Sequence, residues 1–367
     1  MKVLHVTTHF NVGGISNYIL TLSKALKSKG LEVVVASSGG DLEAELDRYG
    51  IPHRKLDIRT KFEFGPKVLK SAFRLSRIVK DEGVDLIHAH TRVSQVASLI
   101  ASRMARVPFI TTCHGYFRKR LRGIIDTWGA QVVAISDAVK SHLIDDLGVD
   151  GDRIALIYSG VDASRFSEYD ATGRLNEIRA ELGLKDTPVI GTIGRLSSVK
   201  GHKFFIEAMK DILAKRPDAQ AILLGSGEEL PRLKKLAESL GVAGSVHFYD
   251  SCANTPRFLS VMDVFVFPSV KEGLGIALLE ALASGRACVA SRIGGIGDII
   301  KDGYNGMLVD AGDSKAISDA VLRLLSDSSL RNEMGRRGKA LVSERFTLDG
   351  MARNMMKLYE EVLGRKP

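Results

Sequence analysis

Residues 264–283 read Val-Phe-Val-Phe-Pro-Ser-Val-Lys-Glu-Gly-Leu-Gly-Ile-Ala-Leu-Leu-Glu-Ala-Leu-Ala. Val264 to Phe267 are β-branched and aromatic, which predicts a short buried strand, and Pro268-Ser269 ends it. Gly273 and Gly275 free the backbone, and an apolar helix is expected from Ile276. Strand, glycine loop and helix in that order form the repeating unit of a parallel sheet covered on both faces. Two carboxylates bracket the turn. Glu272 precedes the helix, and Glu280 lies inside it beside Leu278 and Leu279, where a carboxylate is costly unless it accepts hydrogen bonds.

The same unit recurs on both sides of this stretch. Toward the C-terminal half, strands are predicted at residues 189–193, 221–224, 246–249 and 287–290. Helices are predicted at 203–213, 229–240, 314–325, 329–343 and 348–363. The N-terminal half alternates similarly, with strands at 3–8, 31–37, 84–88, 109–112 and 131–135. Its first helix runs over 15–29, with Ile15, Ile19, Leu22 and Leu26 at helical spacing and Gly30 as a stop. Residues 163–187 are polar, with a short helix at 176–182, and read as the connection between two domains. The fold class is therefore α/β, with two doubly wound parallel-sheet domains. Such domains bind ligands at the carboxyl ends of their strands, here in an expected cleft between the two.

With 45% apolar and 26% charged residues, the 367-residue chain reads as a soluble globular protein of two domains. No apolar run reaches spanning length, and the first residues are expected to form a strand, not a cleaved leader. Cys113, Cys252 and Cys288 are odd in number and far apart, which disfavours a disulfide framework or zinc site and fits a reducing cytoplasm. Residues 1–165 carry 24 Lys and Arg against 17 Asp and Glu, whereas the remainder carries 28 against 26. A basic excess confined to one half suggests an anionic partner there, a membrane surface or nucleic acid.

Four stretches carry chemistry. Gly13-Gly14 sits between a strand and a helix, where backbone can approach a phosphate or sugar, although alone it is only a turn. It lacks the G-x-G-x-x-G spacing of an NAD fold. Gly194-Arg195-Leu196 with Lys200-Gly201 places a planar guanidinium and a mobile ammonium at the start of a helix. By itself this is equally well read as two solvated charges. The Glu272–Glu280 stretch decides for a ligand with a diphosphate at one end and hydroxyls at the other, that is, a nucleotide-sugar. Amides at Gly275 and Ile276 would meet phosphate, and ribose hydroxyls would satisfy Glu280. The fourth stretch, residues 117–128, interleaves Arg118, Lys119, Arg120 and Arg122 with aromatic and aliphatic residues, among them Trp128. It directly follows His114-Gly115 and is read as an acceptor-side or membrane-facing element. A second basic segment, residues 66–80, places Lys67, Lys70, Arg74 and Arg77 on one helical face. Val68, Leu69, Ala72 and Phe73 lie largely on the other, and this segment is read as a solvated face over an apolar core.

Together these motifs resemble the retaining glycosyltransferases of family 4, which have the two-domain GT-B fold. The resemblance covers almost the whole chain. It rests on Gly13-Gly14, His114-Gly115, Ser159-Gly160-Val161-Asp162, the Gly194 to Gly201 stretch, Gly225-Ser226-Gly227-Glu228 and the Glu272 to Glu280 stretch. It continues through Gly294-Gly295, Asp302-Gly303 and Asn305-Gly306. It implies an acceptor-side Rossmann-like domain over residues 1–166, with residues 348–367 crossing back onto it, and a nucleotide-sugar-binding domain over 167–347. It implies that Arg195 and Lys200 bind the donor diphosphate, Glu280 the ribose and Glu272 a donor-sugar hydroxyl. His114 contacts the sugar from the first domain. Catalysis is thereby assigned to His114, Arg195, Lys200 and Glu272. Donor binding is assigned to Gly13, Gly14, Arg195, Lys200, Gly225, Gly275, Ile276 and Glu280.

Four positions depart from the family pattern. Ser159 stands where Asn is common, Ala287 where Pro is frequent, and Gly297-Asp298 where Pro-Glu is frequent. The expected reaction is retaining transfer from a UDP- or GDP-sugar to a saccharide or lipid-linked acceptor in cell-envelope or lipopolysaccharide assembly. It would take place in the cytoplasm or at the inner face of the plasma membrane. No Asp-x-Asp element sits at a predicted strand end, so no metal or other cofactor is expected to be required. Two alternatives remain at this point: a sugar-nucleotide 2-epimerase of the same fold, for which no acid/base carboxylates are assigned, and a non-catalytic nucleic-acid binder. The second lacks a recognised motif, and no nucleic-acid partner is expected.

Overall fold

The computed structural model describes residues 1–116, 125, 127–166, 174–252 and 254–364. The chain forms two compact units. One comprises Met1–Gly160 and the helix Leu348–Gly364, the other Val161–Thr347.

The first unit is a parallel sheet in the order β3-β2-β1-β4-β5-β6-β7. Its strands are β1 (Lys2–Val6), β2 (Glu32–Ser37), β3 (His53–Lys55), β4 (Leu86–Ala89), β5 (Phe109–Cys113), β6 (Val132–Ala134) and β7 (Ile154–Leu156). Leu4 of β1 lies in register with Val34 of β2 and Ile87 of β4, and all three are buried. Valine, isoleucine and leucine fill these central strands because helices cover both faces. Helices Pro66–Glu82 and Arg92–Ala105 pack together over one face, closing a core that includes Val68, Leu75, Val79, Val96 and Ala101. The strand order reverses between β1 and β4, the switch point at which doubly wound sheets open a crevice.

Helix Leu348–Gly364 is held in this unit by Met351, Met355, Leu358, Tyr359 and Val362, a buried stripe at helical spacing. Tyr359 is fully buried, and its hydroxyl bonds the His88 imidazole at 2.7 Å.

The second unit is a parallel sheet in the order β10-β9-β8-β11-β12-β13. Its strands are β8 (Val189–Ile193), β9 (Gln220–Leu224), β10 (Val246–Tyr249), β11 (Val264–Phe267), β12 (Ala287–Ser291) and β13 (Met307–Val309). Counted from β8 this is the 3-2-1-4-5-6 order of dinucleotide-binding sheets, with its switch point between β8 and β11. Ile190, Leu223, Val264, Val266 and Val289 line the core beneath helices His202–Lys215 and Ser314–Ser326.

Helix Arg92–Ala105 is not among the helices predicted, but the central strands and the other long helices fall where periodicity places them. Three strands do not. β3, β7 and β13 are three residues each; β3 is the polar His53-Arg54-Lys55 at a sheet edge, and the apolar β7 and β13 are too short to show a period. Among the described residues, no helix is long and apolar enough to cross a membrane.

Candidate functional site

In the second unit, three loops converge at the carboxyl ends of β8, β9 and β11. Backbone meets backbone there with no room for side chains. A Cβ on Gly225 would lie 1.9 Å from the Gly194 carbonyl oxygen, and one on Gly201 2.0 Å from the Pro268 carbonyl oxygen. Gly201 also adopts a left-handed conformation (φ 66°) as it caps helix His202–Lys215. The glycines of these motifs therefore let the loops interlock, and the side chains between them become the working surface.

Those side chains include Lys200 and Glu272. The Lys200 ammonium is ion-paired with Glu272 Oε2, and Ser269 Oγ lies 3.5 Å from the same oxygen. The ammonium also sits 5.6 Å from the centre of the Phe267 ring. Arg195 is exposed on the neighbouring turn, and its guanidinium meets no partner among the described residues. Its carbonyl is braced by the buried His202, whose Nε2 lies 3.3 Å away. Burial pushes the His202 imidazole down to about 4, so the ring is neutral and stabilises the turn as a hydrogen-bond donor. His202 was not a candidate from sequence; its signal is the Lys-Gly-His order at the helix start.

Glu280 lies on helix Ile276–Ala283, which begins at Gly275 (φ 98°). Burial raises its pKa above the ordinary glutamate value, and the Arg165 charge and the Thr255 hydroxyl offset this in part. The Thr255 hydroxyl is itself buried and makes no hydrogen bond of ordinary geometry. A carboxylate in that setting gains from any hydroxyl that donates to it. Ile276 is half-buried at the first turn of the same helix.

The first unit holds a histidine network at the ends of β1, β4 and β5. His114 Nε2 lies 3.2 Å from His90 Nδ1, and His90 Nε2 lies 2.9 Å from His5 Nδ1. His88 is engaged at both nitrogens, by Tyr359 and by Thr112 at 2.6 Å. The Tyr18 ring meets His114 edge-on at 4.8 Å. Desolvation by burial pushes His5 and His114 each down to about 3, and His88 and His90 also fall well below the ordinary value. All four rings are neutral. His5, His88 and His90 place nitrogens within 4.8 Å of one another, the spacing of a metal trio. With both nitrogens of His88 already bonded, the trio reads as a hydrogen-bonded network.

His5 Nε2 is buried without a partner. A buried unpaired N–H is rarer than an unpaired acceptor, which favours a proton on His5 Nδ1. His5 then donates to His90, His90 donates through Nδ1 to His114 Nε2, and His114 keeps its proton on Nδ1. The sequence did not single out His5, His88 or His90, because only the strand order makes them neighbours.

The remaining candidates are placed as follows. Gly13 and Gly14 begin helix Gly14–Ser28; a Cβ on Gly14 meets nothing within 4 Å, and one on Gly13 only an oxygen at 3.9 Å. Nothing in the unit itself requires glycine there. Trp128 is half-buried and packs against the core of the first unit, so its ring serves packing more than a surface. Arg118, Lys119, Arg120 and Arg122 lie outside the described residues. In helix Pro66–Glu82, Val68 and Ala72 face the core as expected, but Leu69 and Phe73 do not; they are 49% and 51% exposed. The buried stripe follows Val68, Leu75 and Val79, and Leu69 and Phe73 fall off it.

Asp302 and Asn305, two motif residues, do structural work. Asp302 accepts from the Leu308 amide and pairs with Arg292, both at 2.9 Å, and Asn305 donates to the Ile299 carbonyl at 2.9 Å. A hollow of about 320 Å³ beside Leu99, Phe109 and Val362 lies at the amino-terminal end of β5. That is the wrong end of a parallel sheet for the main ligand site.

Comparison with known proteins agrees with this geometry. Residues 12–165 match the family model described as Glycosyltransferase Family 4, and residues 175–341 match Glycosyl transferases group 1. The chain is 26% identical to the N-acetyl-alpha-D-glucosaminyl L-malate synthase of Bacillus anthracis, over 98% of this chain and 96% of that protein. It is 28% identical to a UDP-Gal:alpha-D-GlcNAc-diphosphoundecaprenol alpha-1,3-galactosyltransferase of Escherichia coli, over 82% of this chain and 81% of that one. Among solved structures, Anabaena Alr3699/HepE in complex with UDP-glucose superposes with a TM-score of 0.87 at 23% identity, covering 98% of this chain and all of that one. This last likeness establishes the GT-B fold.

Proposed function

The chain belongs to the family-4 glycosyltransferases, and on that footing we propose that it transfers a sugar, with retention, from a nucleotide-diphosphate sugar to a saccharide or lipid-linked acceptor. The observation that carries the reading is the Lys200–Glu272 pair at the switch point of a 3-2-1-4-5-6 sheet. It sets a cation and a carboxylate side by side where a donor's diphosphate and sugar hydroxyls would lie. UDP is the favoured nucleotide, with GDP second. UDP-glucose is bound by the Anabaena structure, and UDP-Gal stands in the name of the Escherichia coli relative. That relative's name also specifies a lipid-linked acceptor, which favours work on cell-envelope or lipopolysaccharide glycans at an anionic membrane's inner face.

Within this reading, Arg195 and Lys200 hold the diphosphate, helped by amides at the starts of helices His202–Lys215 and Ile276–Ala283. Glu280 accepts from ribose hydroxyls, and Glu272 from a sugar hydroxyl. Gly225 and Gly275 let the loops pack closely enough to present backbone to the ligand, and Ile276 contributes its amide. Gly13 and Gly14 admit close approach of phosphate or sugar to the backbone, which explains glycines that nothing else in their own unit demands. His114 offers a neutral ring to a sugar hydroxyl.

Chemistry follows as a front-side displacement. The bond from the anomeric carbon to the diphosphate oxygen breaks, and the acceptor hydroxyl oxygen bonds the same face. The hydroxyl proton passes to the departing phosphate oxygen. Arg195 and Lys200 stabilise the charge that develops on the leaving group. No metal is assigned a part in this scheme. The test is nucleotide release from UDP- and GDP-sugars with and without candidate acceptors. Acceptor-dependent release of one nucleotide supports transfer. Interconversion of the donor sugar without any acceptor would instead establish an epimerase.

A further inference from the structure

The first unit carries an apolar patch that its own core leaves uncovered. Phe62 and Phe64, in the loop before helix Pro66–Glu82, are 70% and 62% exposed, and Leu69 and Phe73 stand out one turn apart on the helix itself. At about 100° per residue, Leu69 and Phe73 lie on one stripe, on the side away from the buried Leu75 and Val68. This helix is thus apolar on two sides. Single exposed apolar residues are ordinary, but four large ones within residues 62–73 form a patch of the kind that marks an interaction surface.

The charge around the patch has one sign. Residues 59–80 contain seven Lys or Arg and a single acid, Glu63. Glu63 is buried, with Arg92 3.8 Å away, so no carboxylate of this stretch reaches the surface. Arg59, Lys61, Lys70, Arg74 and Arg77 are exposed and have no carboxylate partner among the described residues. Lys67 alone is engaged, with Asp57 at 2.6 Å. Exposed aromatic rings set among unpaired cations suit the boundary of an anionic bilayer, with rings at headgroup depth and cations among the phosphates.

We propose that Phe62, Phe64, Leu69 and Phe73, ringed by Lys61, Lys70, Arg74 and Arg77, form the surface by which this protein docks on an anionic lipid bilayer. The surface deepens the membrane-facing part of the reading above, and rests on it for the purpose of docking, to meet a lipid-linked acceptor. It also moves that part to a segment whose sequence reads as a solvated face over the core.

The test is co-sedimentation of the full chain with vesicles of phosphatidylcholine alone and of phosphatidylcholine mixed with phosphatidylglycerol. Two variants accompany it: Phe62→Ser/Phe64→Ser/Leu69→Ser/Phe73→Ser and Lys70→Gln/Arg74→Gln/Arg77→Gln. All seven side chains are exposed, so both variants should melt as the wild type does. The wild type is expected to bind the anionic vesicles and to release them in salt. The serine variant should bind at least tenfold more weakly. The glutamine variant should bind about a hundredfold more weakly, from roughly fivefold for each cation lost. Equal binding by wild type and variants, equal binding to neutral and anionic vesicles, or binding to neither overturns the proposal. So does a concentration-dependent dimer that the serine changes abolish without any vesicle binding, which would assign the patch to a second copy. Thermal stabilisation by UDP or GDP, read in parallel, separates the two readings. If nucleotides stabilise but vesicles do not bind, the surface fails and the transferase reading stands. If vesicles bind but no nucleotide stabilises, the reverse holds.

Discussion

Lys200 and Glu272, 72 positions apart in the chain, form an ion pair between the loop after β8 and the loop after β11. Both side chains are largely buried, at 24% and 15% exposure. Each holds the other in place. In the proposed complex the ammonium also meets phosphate and the carboxylate a sugar hydroxyl, and the pairing would hold both groups near those positions before the donor binds.

Removal of either partner should therefore affect more than one contact. Lys200→Ala is expected to lower turnover by roughly a hundredfold to a thousandfold, the usual effect of losing one charge-stabilising donor. Glu272→Gln should lower it less, because the amide keeps the shape and can still meet a hydroxyl. The double variant should fall short of the summed losses, since the two groups act as one unit. Steady-state kinetics on all three variants checks this; strict additivity would show that the pair is incidental.

Glu280 sets stability against binding. Its pKa is raised in the folded state, first by burial, so folding disfavours its ionised form. At pH well below the ordinary glutamate value the carboxyl is neutral in both states, and Glu280→Gln should match the wild type. As pH rises through that value the unfolded chain ionises first, and the wild type should fall progressively behind the variant until the folded pKa is passed. At neutral pH the variant should melt higher yet bind nucleotide about tenfold to a hundredfold more weakly, the cost of losing a hydrogen bond to a charged group. Melting curves across pH, with and without nucleotide, read both effects.

The histidine network predicts acid sensitivity of the first unit. His5 and His114 fall from the ordinary 6.5 to about 3 on folding. Their contribution is complete above pH 6.5 and is lost as pH falls toward 3, because the unfolded chain takes up protons that the folded rings refuse. Each such ring contributes a slope of up to about 1.4 kcal/mol per pH unit in that window. His5→Phe should remove one ring's share and flatten stability against pH between 6 and 4. An unchanged slope in urea unfolding would show that His5 is not held neutral.

Two glycines should separate packing from ligand approach. Gly225→Ala drives a Cβ into the Gly194 carbonyl and should destabilise the second unit by about 1–3 kcal/mol, as overpacking does. Gly14→Ala meets open space within a helix and should leave melting unchanged or raise it slightly. It should nonetheless weaken turnover if substrate approaches that backbone. A Gly14→Ala enzyme with full activity would remove the glycine from the site.

The sequence made some of this legible and concealed the rest for identifiable reasons. The central strands could be read because a parallel sheet buried on both faces demands runs such as Val264-Phe265-Val266-Phe267. Strands β3, β7 and β13 could not, being three-residue segments with no period to detect. Lys200 and Glu272 could be selected by type and context, but their pairing depends on β8 lying beside β11, which local pattern does not encode. His5, His88 and His90 stayed hidden for the same reason. A basic stripe leaves Leu69 and Phe73 apparently opposite it and facing the core; a helix apolar on two sides defeats that inference.

The most direct test of the central claim is calorimetric titration of UDP, GDP and their glucose conjugates into the wild type and Lys200→Ala. The account predicts saturable binding of at least one nucleoside diphosphate to the wild type, and binding of that nucleotide at least tenfold weaker in the variant. Failure of all four ligands to bind the wild type, or equal affinity for both proteins, would contradict a donor site built on Lys200 and Glu272.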